Sequence, residues 1–186
     1  MTIRLRILNP VVAAFALALA QPASADTPEA QVQALLEQLQ DPELENWRRV
    51  ERQLQRLWSR SGSASADLLL QRGQDALNQG DTEAAIAHLS ALIDHAPDFA
   101  EGWYLRATAW FMANDYGLAL ADLEETLARN PHHFAALIGL GRILEDTDRP
   151  EAARRALHAA AAIHPHRDDI KAALERLDRE LQGLAL

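Results

Sequence analysis

The sequence contains no cysteine among its 186 residues. Disulfide bonds, thiolate metal sites, a cysteine nucleophile and an acylated lipoprotein N-terminus are therefore excluded. Aromatic residues make up only 5% of the chain, and the alternating Val, Ile and Thr runs that a sheet requires are scarce. Alanine and leucine dominate instead. With a hydrophobic content of 48%, this composition predicts an all-α fold that is stabilised by packing alone.

Positive charge is also scarce, since the net charge is −9 at pH 7 and Lys171 is the single lysine. Nucleic acid is not expected as a partner, because phosphate binding needs a clustered basic surface. Anionic lipid surfaces would repel an acidic protein. The sequence lacks a Gly-rich phosphate loop, a nucleophile elbow and a two-histidine helix motif. We therefore expect a protein that is not an enzyme and holds no cofactor.

The N-terminus has the pattern of an export signal. Arg4 and Arg6 precede an apolar run at residues 11–20, and Ala23-Ser24-Ala25 offers the small residues that signal peptidase accepts. A retained membrane anchor is the alternative, but this run is far shorter than the roughly 20 residues needed to span a bilayer. We expect residues 1–25 to be removed, which lowers the net charge from −9 to −11. In a Gram-negative bacterium the destination would be the periplasm, without stable membrane insertion.

An internal repeat with a period of 34 residues organises the rest of the chain. Pro97, Pro131 and Pro165 mark the period. Three further columns keep the same step: Gly73, Ala107 and Gly141; Ala85, Ala119 and Ala153; and Leu89, Leu123 and Leu157. Each unit is predicted to be a helical hairpin, in which the small residues let the two helices approach closely. The first helices should begin near Ala66, Ala100 and Phe134, and the second near Thr82, Tyr116 and Pro150.

Between the two helices of each unit lies a short turn. Gly80-Asp81, Asn114-Asp115 and Asp148-Arg149 occupy these places. Gly, Asn and Asp tolerate the left-handed backbone that often ends a helix. These pairs therefore predict a chain reversal at the same position of every unit.

Residues 66–167 resemble three consecutive tetratricopeptide repeats, at residues 66–99, 100–133 and 134–167. The second repeat carries the resemblance best, with Trp110 where Tyr is usual and Thr126 where Ala is usual. Its residues at the signature positions of the family are Trp103, Ala107, Trp110, Ala119, Leu123 and Pro131. The resemblance implies an α-solenoid of three helix-turn-helix repeats that binds other proteins or peptides.

Two arginines depart from the family pattern. Arg72 and Arg106 occupy a column where the family normally has Leu, whereas Leu140 in the third repeat conforms. Arginine can lay its methylene stem on packed helices and extend its charge outward. We expect these two to reach acids such as Asp75 or Asp122.

The flanks should be helical. Thr27-Pro28 and Asp41-Pro42 each pair a capping residue with a first-turn proline, so helices are expected from Pro28 to Gln40 and from Pro42 to Trp58. Together with a Ser-rich flexible linker at residues 59–65, these helices would make residues 26–65 an N-terminal cap or a degenerate hairpin. Residues 168–186 should form a C-terminal capping helix that covers the third repeat with Ile170, Leu174, Leu177 and Leu181.

In this family the first helix of each hairpin lines a concave groove. By resemblance, the partner-binding candidates are Leu70, Gln74, Leu77, Tyr104, Thr108, Phe111, Met112, Ile138 and Arg142. The alternative is that the aromatic residues pack against the N-terminal cap or the C-terminal helix and leave no open groove. Family members that hold acidic chaperone C-termini use basic and Asn residues at positions that are here Leu70, Gln74, Leu105, Ala135 and Gly139, so that ligand is not expected.

Histidines recur at the turns between hairpins: His95, His132-His133 and His164-Pro165-His166. A metal site would need several ligands about 2.1 Å from one ion. Because no carboxylate lies between them at a ligand spacing, we expect solvated turn residues and no metal.

The sequence is compatible with two functions. One is a periplasmic adaptor that holds a peptide or helix of an envelope protein in its groove. The other is a permanent structural subunit or assembly factor of an envelope complex, docked through its convex face or through Trp47 and Trp58 of the cap.

Overall fold

The computed structural model describes residues 27–184, which form nine α-helices and contain no strand. The signal-peptide prediction for residues 1–25 lies outside the described residues. No helix within the described range is both long and apolar enough to cross a membrane. The helices are α1 (Pro28–Gln40), α2 (Trp47–Trp58), α3 (Ala64–Gln79), α4 (Thr82–His95), α5 (Ala100–Met112), α6 (Tyr116–Arg129), α7 (Phe134–Asp146), α8 (Pro150–Ile163) and α9 (Asp168–Leu184).

Three helical hairpins, α3–α4, α5–α6 and α7–α8, stack in chain order. The predicted all-α solenoid is confirmed, and α4 to α8 begin at the predicted residues, while α3 begins two residues early at Ala64. The predicted turns are confirmed as well. Gly80, Asn114 and Asp148 have φ angles of 74°, 62° and 56°, which is the left-handed conformation that ends a helix.

Small residues set the distance between the two helices of a hairpin. A Cβ added at Gly73 would lie 2.6 Å from Cγ of Leu89, and one added at Gly141 would lie 2.8 Å from Cγ of Leu157. Both leucines are buried. Glycine at positions 73 and 141 therefore allows the close packing that the column of small residues predicted, while Ala107 holds the same position in the second repeat.

Arg106 replaces a family leucine and joins three helices. Its Nε and Nη2 donate to the Asp122 carboxylate at 2.7 and 2.8 Å, and its Nη1 donates to Oγ of Ser90 at 3.1 Å. The prediction that Arg106 reaches Asp122 is confirmed. Arg72 is exposed on α3.

Helix α9 packs against α8 and extends the solenoid by one helix. Ile170 and Leu177 are fully buried, while Leu174 and Leu181 are half-buried. The C-terminal helix therefore covers the third repeat, as expected.

The start of α2 differs from the prediction. The helix begins at Trp47 and not at Pro42. Asp41 Oδ1 accepts a hydrogen bond from Glu43 N at 3.0 Å, which forms a turn and does not cap a helix. The chain must reverse between Leu39 and Val50, because both side chains are buried in one cluster.

Helices α1 and α2 pack on each other as an N-terminal hairpin, which is the degenerate hairpin that the sequence left open, and this hairpin does not join the core of the first repeat. Its buried residues share a core with α7, α8 and α9, whereas the core of the first repeat contains none of them. Trp47 lies against His164 with ring centroids 5.2 Å apart, and Trp58 stacks on His133 at 5.0 Å. The hairpin therefore covers the edge of the solenoid where the inter-hairpin turns lie.

The linker after α2 is tied to the first repeat. N and Oγ of Ser61 donate to Oδ1 of Asp67 at 2.8 and 2.6 Å. These hydrogen bonds lower the pKa of Asp67. The serine-rich segment that the sequence suggested to be flexible thus forms specific contacts with α3.

Candidate partner-binding groove

A cavity of about 200 Å³ opens between α5 and α7 on the concave side of the second and third repeats. Five of the nine candidate residues line it: Tyr104, Thr108, Phe111, Ile138 and Arg142. Ala107, Leu123, Ala135, Gly139 and Ile143 complete its walls. The cavity combines an apolar floor with aromatic rings and one cation, which is a composition typical of sites that anchor a partner side chain.

Tyr104 is fixed at one end of the cavity. Its ring lies 4.5 Å from the His133 ring, and Thr108 Oγ1 donates to its carbonyl oxygen at 3.0 Å. Burial, assisted by the charge of Glu101, raises the pKa of the Tyr104 hydroxyl. The hydroxyl therefore stays protonated near neutral pH and can donate a hydrogen bond to a ligand.

Phe111 and Arg142 form the other end of the cavity. The Arg142 guanidinium carbon lies 5.5 Å from the Phe111 ring centroid, and Phe111 also stacks on Tyr116 at 5.6 Å. Among residues 27–184, no ion pair involves Arg142. Its guanidinium is therefore held over an aromatic face with its donors available to a carboxylate or a backbone carbonyl.

The first repeat and the end of α5 do not contribute to this cavity. Leu70 is 3% exposed and belongs to the core of the first repeat, so it cannot contact a partner in this conformation. Gln74 and Leu77 are half-buried on α3, and Met112 is 43% exposed at the end of α5. The aromatic residues are thus neither fully exposed nor sealed by the N-terminal hairpin, whose Trp58 stacks on His133 beside Tyr104.

A second cavity, which the sequence did not suggest, continues the groove. It has a volume of about 580 Å³, lies between α7, α8 and α9, and shares Ile138 and Arg142 with the first cavity. Its floor contains Leu157, Ile170 and Leu177, and its rim carries Glu145, Asp146, Asp148, Asp169, Arg176 and Glu180. The sequence feature that could have indicated this cavity is the apolar stripe of α9, because this stripe faces both α8 and the cavity.

The inter-hairpin histidines do not all behave as solvated turn residues, and that prediction is wrong for two of them. His133 is 2% exposed; its Nδ1 accepts from Ala136 N at 3.1 Å, and its Nε2 lies 3.2 Å from Glu101. His164 is fully buried, and burial lowers its pKa. The N-terminal hairpin is the physical reason, since it covers this edge. No group of three metal-ligating side chains that could hold an ion occurs in the described part of the chain.

Comparisons with known proteins agree with this architecture. Two family models described as tetratricopeptide repeat match residues 70–122 and 111–177. A TPR repeat-containing protein of Rhizobium etli is 32% identical over 126 residues, which cover 68% of this chain. The match spans 62% of the length of that relative.

Solved structures with the same fold include domains bound to chaperone peptides. The first TPR of Spaghetti (RPAP3) bound to the HSP90 peptide SRMEEVD has a TM-score of 0.62 and 21% identity, and the match covers 64% of this chain and 98% of that one. The yeast Sti1 TPR2B domain in complex with an Hsp70 peptide has a TM-score of 0.59 and 20% identity, with coverage of 63% and 99%. At sequence identities of 20% and 21%, the similarity establishes the fold alone.

Proposed function

Since the chain belongs to the tetratricopeptide-repeat family, we propose that it is an interaction module that holds an extended peptide or a short helix of an envelope protein in its concave groove. The observation that carries this proposal is the convergence of Tyr104, Phe111 and Arg142 on one apolar cavity. Rigid aromatic side chains beside a cation provide both contact area and hydrogen-bond donors at low entropic cost. The groove thus suits binding, and catalysis is not part of the proposal.

The ligand differs from the acidic chaperone tails bound by the structural neighbours. The positions that hold such tails in this family are occupied here by Leu70, Gln74, Leu105, Ala135 and Gly139, none of which is cationic. Leu70 and Leu105 are also buried. A single cation, Arg142, offers a carboxylate only one partner, so the apolar contacts with Tyr104 and Phe111 should dominate affinity.

Export to the periplasm is part of this proposal. It is supported by the leader-like pattern of residues 1–25 and by the absence of cysteine, which leaves the fold independent of the redox state of its compartment. Localisation of the tagged protein in fractionated cells tests this part separately.

The alternative of a permanent envelope subunit docked through the N-terminal hairpin has less support. Trp47 and Trp58 would be the docking residues, but both already pack on histidines of the solenoid. Docking through the convex face would instead use Leu118 of α6, which is 44% exposed.

Affinity capture from an envelope extract distinguishes these proposals. The parent protein is compared with a Tyr104→Ala, Phe111→Ala, Arg142→Ala variant and with a control in which the exposed leucine of α6 is changed, Leu118→Ala. We expect the parent and the control to retain a partner that the groove variant loses while its helical circular dichroism is unchanged. Retention by the groove variant and loss by the control would transfer the site to the convex face.

A further inference from the structure

Helix α2 carries a row of arginines on its outward face. Arg49, Arg52, Arg56 and Arg60 follow one another in steps of three and four residues, which places them on one side of a helix, and all four are exposed. Arg60 lies just beyond the last residue of α2. We call these four residues the arginine stripe.

The opposite face of α2 is committed to the solenoid. Val50 and Leu54 are buried, and Glu51 accepts a hydrogen bond from Arg167 Nη1 at 3.2 Å. Trp47 and Trp58 pack on His164 and His133. The arginine stripe therefore points away from the solenoid and is held there by a rigid support.

No ion pair within the described residues neutralises the arginine stripe, although Arg60 lies near enough to Asp67 for its charge to help lower the pKa of that carboxyl. None of the ion pairs found between residues 27 and 184 includes an arginine of the stripe. Like charges at a spacing of three or four residues destabilise a helix. This concentration of cations stands out in a chain of net charge −9, and ion pairing within the described residues does not account for it.

We propose that the arginine stripe docks an acidic segment of a partner protein, at a surface separate from the concave groove. The stripe covers eleven residues of helical rise, or about 16 Å. That length matches about three turns of a partner helix with Asp or Glu at the same spacing. The planar guanidinium favours carboxylates, which it can bind through two parallel hydrogen bonds.

The surroundings of the stripe favour a protein over a membrane. The large exposed hydrophobic side chains of the described chain are Leu68, Met112 and Leu118, and none lies on α2. A helix that binds a lipid surface needs such side chains to insert. A shallow cavity of about 370 Å³ flanks the stripe instead, with Leu35, Gln38, Gln53 and Leu57 among its lining residues, and it can accept side chains of a docked segment.

The short length of the arginine stripe argues against nucleic acid as its ligand. A nucleic-acid strand that continued past the stripe would meet the rest of an acidic protein, which repels phosphates. An acidic protein segment can end within the stripe and avoid that repulsion. The observations therefore favour a short acidic segment.

The test measures fluorescence anisotropy of a labelled helical peptide of about 15 residues with Glu at every third and fourth position. A peptide with Gln in place of Glu, a single-stranded oligonucleotide and phosphatidylglycerol vesicles serve as competing probes. The purified protein is compared with an Arg52→Gln, Arg56→Gln, Arg60→Gln variant. A control with the same change of charge at other exposed sites carries Arg72→Gln, Arg155→Gln and Arg179→Gln.

We expect the Glu peptide to bind the parent and the control equally, to bind the stripe variant about tenfold more weakly, and to lose affinity as salt is raised. A groove variant, Tyr104→Ala, should bind it normally, so that failure of the groove proposal leaves this result intact. Equal binding of the Glu and Gln peptides, equal loss in the control, or preference for the oligonucleotide or the vesicles would each overturn the proposal. Unchanged thermal unfolding shows that the variants remain folded.

Discussion

The Arg106–Asp122 pair explains why the second repeat tolerates arginine at a leucine position. Asp122 is 4% exposed, and two charge-assisted hydrogen bonds of 2.7 and 2.8 Å satisfy its carboxylate. Changing Arg106→Leu restores the family residue but leaves a buried carboxylate without its cation. We therefore expect the family residue to destabilise this protein.

The magnitude follows from the burial of the two side chains. Removing one partner of a fully buried pair costs about 3–5 kcal/mol. The Arg106 side chain is 19% exposed, so water can partly replace it, and we expect a loss of about 2–3 kcal/mol in the free energy of unfolding. Replacing both partners, as Arg106→Leu with Asp122→Leu, should stay within about 1 kcal/mol of the parent, because packed apolar residues substitute well for a buried pair.

Urea unfolding of the parent, the two single variants and the double variant measures this cycle. The double variant should be clearly more stable than Arg106→Leu alone. A loss below about 0.5 kcal/mol for Arg106→Leu would refute the role of this ion pair, since that is the effect of an ordinary surface change. A double variant as unstable as the sum of the singles would show that the two residues act independently.

Three further predictions concern stability. Gly73→Ala should destabilise the fold by about 1 kcal/mol, because the strain where the new Cβ meets buried Leu89 at 2.6 Å exceeds the gain of about 1 kcal/mol in helix propensity. Gly139→Ala should stabilise it by about 1 kcal/mol through helix propensity, because its Cβ meets nothing closer than 3.7 Å; equal urea midpoints would contradict both. Burial, opposed by the charge of Glu51, lowers the pKa of His164 below its unfolded value of 6.5. The unfolded chain therefore binds a proton first as the pH falls, and stability should decrease below about pH 6.5. His164→Gln should reduce this decrease; an unchanged pH profile would contradict the assignment.

The repeat could be predicted from sequence because each of its determinants is local or periodic. Gly73 and Leu89 belong to columns that recur every 34 residues, and the structure places them in contact within one hairpin. The residue types of Asn114 and Asp148 are enough to predict left-handed turns, and both residues have positive φ angles. Periodicity thus fixed the helices, their turns and the residues at their closest approach.

The position of the N-terminal hairpin could not be predicted in the same way. Its apolar stripes showed that α1 and α2 need a partner surface, but Leu36 and Leu54 carry no period that relates them to the repeats. In the structure these two leucines pack in one cluster with Phe134 and Ile163, about 100 residues further along the chain. Amphipathicity specifies that a face is buried and does not specify against what.

The histidines show the consequence of that missing information. His133 and His164 occupy turns, and turns are usually solvated. Their burial depends on a hairpin distant in sequence, with Trp58 stacked on His133 and Trp47 against His164. A signal was present in the sequence, since two tryptophans on a short amphipathic helix require flat partners, but nothing in the chain paired them with histidines.

The same contacts connect the hairpin to the groove. Trp58 stacks on His133 at 5.0 Å, and His133 in turn lies 4.5 Å from Tyr104, which forms one wall of the cavity. His133 also caps α7, whose Ile138 and Arg142 form the facing wall. Both walls therefore depend on one buried side chain that the hairpin covers. The concave site is thus built by two repeats together with a segment outside them, which explains why the family resemblance located five of its residues and could not describe its shape.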